Sequence, residues 1–318
     1  MNPLLFLALA LATALHPAAV ASTPTAPLRE SALRVGLPRV AFGNLNENDA
    51  TAAYRAFLRS MGRQHGYALE PEVSVYDTVP QLDRAIRSGR LHMIVTNSWM
   101  LLTGGLQDAV DVVFVPLTNR DPLKRVLLLV HRDSGATRLA DLHGKSALIL
   151  LNANATLGRP WLETSTLAAG LGYPNELFDR LDTVAKPNAA ILPVFFRRSD
   201  ACIVDDASFA VACELNPQLR RDLVVLAQSE PMLEGLICLN RIGWDSTDQR
   251  EALLASLPQT HADPAGRQIL TLFRIEKLVP FESRQLDSVA ALAAHHAQLV
   301  ALLAQNAPPS PLRALTAP

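Results

Sequence analysis

Arg87-Ser-Gly-Arg-Leu-His-Met-Ile-Val95 running into Thr96-Asn97-Ser98, and Arg198-Ser-Asp-Ala-Cys-Ile-Val204 running into Asp205-Asp206-Ala207-Ser208, are the stretches on which the fold turns. Each closes a helix, makes a turn that contains Ser, and continues as an apolar strand with polar side chains at its carboxyl end. In an open α/β sheet, ligands bind beyond that end of the strands. Two such units far apart in the chain predict two similar lobes that face one cleft.

The pattern extends outward from both units. Leu33-Arg-Val-Gly-Leu37 reads as a strand, and the polar loop from Arg39 to Asp49 leads to a helix capped at Asn48 or Asp49. A strand at Glu72–Tyr76 and a helix at Val79–Ser88 follow, so strand and helix alternate from Leu33 to Val115. That alternation predicts a parallel, doubly wound sheet. The pattern restarts with strands at Arg125–His131 and Lys145–Leu151, a short helix between them, and a helix from Asn188 to Phe196. The expected architecture is α/β, with lobe one at residues 31–122 plus 234–307 and lobe two at 123–233. Two crossover strands, near Lys124–Val130 and Gly235–Asn240, would join them around a ligand cleft.

Residues 1–21 hold no charged side chain and end in Ala19-Val20-Ala21, the pattern of a signal peptide and its cleavage site. No Cys follows that site, so the expected product is exported to the periplasm without a lipid anchor. Residues 308–318 are Pro-rich and read as a disordered tail. The 318-residue chain carries a formal net charge of −1, which excludes a polybasic nucleic-acid binder. Cys202, Cys213 and Cys238 lie in apolar surroundings, where small buried core residues are expected. Adjacent His295 and His296 do not share a helix face and make a solvated pair rather than a metal site. The chain has no G-x-S-x-G, H-E-x-x-H, Walker or G-x-G-x-x-G motif. A binding protein without catalysis, metal or cofactor is therefore expected.

The best binding candidate is Asn152-Ala-Asn-Ala-Thr156, between a buried strand and a helix. Free amides at a helix start favour an anion, and Asn154 and Thr156 could either cap the helix or donate to ligand oxygens.

The order of segments resembles the periplasmic solute-binding proteins of phosphonate, phosphite and phosphate uptake, a branch of the type II periplasmic binding proteins. The resemblance runs from about Leu33 to Leu286 and rests on Ser88-Gly-Arg-Leu-His92, Thr96-Asn-Ser-Trp99 and Val130-His-Arg-Asp-Ser-Gly135. Leu139-Ala-Asp-Leu-His-Gly-Lys145, the segment Leu148 to Gly158, Ala201–Asp205 and Phe273–Pro280 complete it. It implies that Asn154, Ala155 and Thr156 stand where the family grips its anion with Ser-Thr-Ser, so one hydroxyl is kept and two are lost. It also places Trp99 at the family's strand-end aromatic and Asp205 at its strand-end acid. Lys186-Pro187-Asn188 falls at a Ser-His-Asp stretch that has lost its His.

Arg39, Lys186 and the helix start at Asn154 would then supply positive potential. Asn46, Asn97, Ser98, Asn188 and Asp205 would orient a small anionic or polar solute, with a phosphonate- or phosphate-like oxyanion favoured. Trp99 would cover a planar part of the solute, or else pack in the core. The partner implied is an inner-membrane ABC permease, or, in the alternative reading, a membrane signalling receptor such as a sensor kinase or cyclic-dinucleotide enzyme.

Overall fold

The computed structural model describes residues 28–306 apart from Gly43, Asn44 and Asn119, so the leader and the Pro-rich tail lie outside the described residues. The chain begins with β1 (Arg29–Pro38), α1 (Glu47–Gln64), β2 (Tyr67–Tyr76), α2 (Val79–Arg87), β3 (Met93–Asn97), α3 (Ser98–Thr103) and β4 (Val110–Leu117). A two-residue strand, β5 (Leu123–Lys124), crosses to the second lobe. There it forms β6 (Val126–His131), β7 (Lys145–Leu150), α4 (Gly158–Ala168), α5 (Pro174–Leu177) and β8 (Phe178–Val184). α6 (Pro187–Phe195), β9 (Ala201–Asp205), α7 (Asp206–Leu215), α8 (Gln218–Asp222) and β10 (Leu223–Gln228) complete that lobe. β11 (Met232–Leu233) returns the chain to β12 (Gly235–Asn240), α9 (Thr247–Ser256), α10 (Pro264–Leu272), β13 (Lys277–Pro280) and α11 (Asp287–Asn306).

Both sheets follow one plan. The first has the order β2-β1-β3-β12-β4-β13 and the second β8-β7-β9-β6-β10. β1 pairs in parallel with β2 and β3, as β7 does with β8 and β9. β12 then inserts antiparallel between β3 and β4, and β6 inserts antiparallel between β9 and β10. Each inserted strand is the one that follows a crossing. The crossings lie at the carboxyl ends of the parallel strands, so an arriving strand enters at that end and must run the opposite way. The sheets are therefore mixed: the strands of the alternating stretch, β1 to β4, run the same way, as expected, and the inserted β12 and β6 run against their neighbours. The crossing itself is short: β5 pairs antiparallel with β11 through Lys124–Met232 and Leu123–Leu233, just ahead of the segments expected to cross.

Strand alternation places the cores. On β6, Val126, Leu128 and Val130 face one layer and Leu127 and Leu129 the other, all buried. That is the near-continuous apolar run of a strand covered on both faces. In lobe one, Leu33, Val35 and Leu37 of β1 pack with Tyr54, Phe57 and Leu58 of α1. On the opposite face Leu82 and Ile86 of α2 meet Ile94 and Leu101. α11 is long and apolar enough by length and composition to cross a membrane, although it lies against the protein. Its buried Val289 joins the lobe-two core together with Trp99 and Leu102 of α3, so this helix bridges the lobes. All three cysteines are buried and free, and burial pushes the Cys202 and Cys238 thiols up.

Candidate functional site

The two crossings leave a cleft of about 510 Å³ between the carboxyl ends of the sheets. Lobe two lines it with Asn152, Asn154, Lys186, Asn188 and Asp205, and lobe one adds Thr118, Phe273 and Arg274. Four of the expected site residues thus share one cleft: Asn154, Lys186, Asn188 and Asp205. Lys186 and Asn188 flank the start of α6, and Lys186 makes no ion pair among the described residues. Asp205 is committed locally, since its carboxylate caps α7 by accepting from the Ser208 N–H at 2.8 Å and the Ser208 hydroxyl at 2.6 Å. Asp206, behind it, has its carboxyl pushed up by burial.

The loop ahead of α4 is built to present donors. Asn152 Oδ1 accepts from the Asn154 N–H at 2.9 Å, and Asn152 Nδ2 donates to the Ala185 carbonyl at 3.1 Å. This tight turn aims the Thr156 and Leu157 amides and the Thr156 hydroxyl at one point. A carboxylate of the protein itself occupies that point. Glu234, 6% exposed, accepts from the Thr156 hydroxyl at 2.6 Å, from the Thr156 N–H at 3.1 Å and from the Leu157 N–H at 3.2 Å. The N-cap residue of α4, Leu157, has no side-chain cap, so Glu234 does the capping from the hinge. The expectation that Asn154 or Thr156 caps this helix, or that Thr156 is free for a solute, meets this correction.

Glu234 sits between β11 and β12, where its carbonyl accepts from the Ser98 N–H at 2.8 Å. Burial pushes its carboxyl up, while the Thr156 hydroxyl and the Lys124 ammonium pull the other way. Lys124 itself is 9% exposed and donates to the Asn154 carbonyl at 3.2 Å. Glu234 was missed in the sequence, although it is the one acid within the apolar run Met232–Leu239.

Beneath the cleft lies a second space in lobe one, a chamber of about 90 Å³ with mostly apolar walls. Phe42, Tyr54, Phe57, Val95 and Phe273 line it, and lobe two covers it with Ala153, Asn154 and Thr156. Asn154 Nδ2 donates to the Phe273 carbonyl at 2.8 Å, a bond that spans the two lobes. Asn97 also lines the chamber, but its Oδ1 caps α3 by accepting from the Met100 N–H at 2.8 Å. Thr96 on the same wall is 5% exposed, and its hydroxyl has no hydrogen-bond partner among the described residues.

Four expected residues lie away from both spaces. Arg39 is exposed and held by Asp77 and Glu47, which offset its charge. Asn46 caps α1 by accepting from the Asn48 and Asp49 amides at 2.9 and 3.1 Å, so the cap lies ahead of Asn48 and Asp49, the two positions where it was expected. Ser98 is fully buried and its hydroxyl donates to the Leu233 carbonyl. Trp99 packs under α11, edge-on to His296 with ring centroids 5.4 Å apart. It takes the core option left open by the sequence, and it is not a face for a solute. His296 is not free in solvent, because its Nε2 lies 3.1 Å from Glu163 Oε1.

The sequence pattern of a family described as the periplasmic substrate-binding protein of phosphonate ABC transporters matches residues 42–286. No curated protein matches the chain by sequence. Among solved structures, an ATP-bound protein of Xanthomonas citri superposes with a TM-score of 0.62 at 16% identity, covering 85% of this chain and 98% of that one. A binding component of a phosphonate ABC transporter from Pseudomonas aeruginosa gives 0.59 at 15% identity, over 89% and 92% of the two chains. PhnD1 of Prochlorococcus marinus, in complex with methylphosphonate, gives 0.55 at 15% identity, over 83% and 97%. At these identities the likeness is one of fold.

Proposed function

The chain belongs to the periplasmic substrate-binding proteins of phosphonate ABC transporters, and from that premise we propose that it captures a small polar or anionic solute in the cleft between its lobes and delivers it to a membrane permease. Such proteins are not enzymes, and capture needs none of the catalytic arrangements sought in the sequence. The observation that carries the reading is the cleft itself. Polar groups of both lobes line it, the β5–β11 ladder and α11 connect the lobes, and one hydrogen bond from Asn154 to the Phe273 carbonyl spans its floor. A hinge of two short strands lets the lobes part and close over a solute.

Lys186 and Arg274 would meet an anionic part of the solute, with Asn152 and Asn188 as neutral donors, while Lys124 on the same wall is tied to the Asn154 carbonyl. The oxyanion expected at the start of α4 is not carried forward, because Glu234 already holds those donors. Thermal unfolding against phosphate, phosphite, alkylphosphonates, sulfonates and small carboxylates tests capture. A true solute at a hundredfold excess over its Kd adds about 2.7 kcal/mol. If no compound raises Tm saturably, or if the rise survives Lys186→Ala and Asn188→Ala unchanged, the cleft is not the site.

A further inference from the structure

The start of α4 carries its own anion. Two amides and a hydroxyl at a helix start are the groups that hold a free oxyanion, and here all three are bound to the Glu234 carboxylate. A second full negative charge at the same point would face that carboxylate in a site shielded from water, where like charges repel strongly. The chamber adds a separate observation. The wall of the chamber is mostly apolar, built by Phe42, Tyr54, Phe57, Val95 and Phe273, and the Asn97 and Asn154 side chains on it are spent on the Met100 N–H and the Phe273 carbonyl. Tyr54, the one ionisable group on that wall, is held neutral by burial, so nothing there would balance a charge. The chamber and the cleft share Phe42, Ala153, Asn154 and Phe273, so one molecule reaches both when the lobes part.

We propose that Glu234 closes the α4 start to free oxyanions, and that the solute is a small organic molecule whose uncharged hydrocarbon part enters the chamber. Its polar or anionic head stays in the cleft beside Lys186 and Arg274. The inference rests on the capture reading above and names the class of solute for the same site.

Isothermal titration with inorganic phosphate, methylphosphonate and straight-chain carboxylates from acetate to octanoate tests it. The wild type is expected to bind the carboxylates about fourfold more tightly per added methylene until the chamber is full. Phosphate and methylphosphonate should give no saturable heat with the wild type, and Glu234→Ala should gain methylphosphonate binding by at least about tenfold. Should Glu234→Ala not fold, Glu234→Gln removes the charge while keeping the shape and is read in its place. Methylphosphonate binding to the wild type as tight as to the variant, or a flat chain-length series, overturns the inference while leaving capture intact. Failure of every probe with the wild type and the variant removes the capture reading as well.

Discussion

Replacing Asn154 by Ala tests how the lobes are held. The side chain makes one interlobe hydrogen bond, from Nδ2 to the Phe273 carbonyl at 2.8 Å. The backbone contacts of the residue, to Asn152 Oδ1 and from Lys124 Nζ, survive the change. In the parted state water replaces the lost donor, so the cost falls on the closed state alone. One hydrogen bond is worth about 0.5–1.5 kcal/mol net, which moves the closed-to-open ratio about 2- to 12-fold towards open. Spin labels on introduced cysteines at Ala56 in lobe one and Ala169 in lobe two, both exposed, report this as a longer interlobe distance. The three native cysteines are buried, and the labelling is expected to leave them untouched. A distance distribution identical to the wild type refutes the latch. So does a fall in global stability of more than about 2 kcal/mol without opening, since one surface-reachable hydrogen bond does not cost that much.

Leu128→Ala on β6, fully buried in the lobe-two core, should cost about 2–5 kcal/mol in urea unfolding with an unchanged m-value. Gly243 has φ +86°, and an added Cβ would fall 2.2 Å from the Gly89 carbonyl oxygen. Gly243→Ala should therefore destabilise by at least about 2 kcal/mol. His92 is buried, stacked on Trp244 at 4.9 Å, and its ring is pushed below the usual 6.5 by burial first and by the nearby Arg34 second. Folding favours the neutral ring, so its contribution is complete above pH 6.5 and declines as the pH falls below that value. His92→Gln should flatten the pH dependence of Tm below about pH 6.5, and an unchanged slope would assign it to other groups.

The two-lobed fold was readable because each lobe repeats local alternation: Leu82, Ala85 and Ile86 set one helix face, and Leu127 to Val130 mark a strand buried on both sides. The insertion of β6 and β12 was not readable. Their antiparallel course depends on where the chain re-enters each sheet, which no local period encodes. The site divides in the same way. Asn154, Lys186, Asn188 and Asp205 follow strands or precede helices in lobe two, and the fold brings them to one cleft. Arg39, Asn46, Ser98 and Trp99 had the right residue types in the right segments, yet local partners claim each of them. Polar residues at strand ends serve helix caps as readily as ligands. Glu234 was invisible for the opposite reason. It lies on the hinge, 78 residues from Thr156, and only the closed topology shows what it touches.

Glu234 holds the donors at the start of α4 that a bound oxyanion would take. The Thr156 and Leu157 amide signals in 15N NMR report on that place directly during a methylphosphonate titration. They are predicted to stay still in the wild type and to move saturably in Glu234→Ala. Saturable movement of both signals in the wild type would contradict the claim.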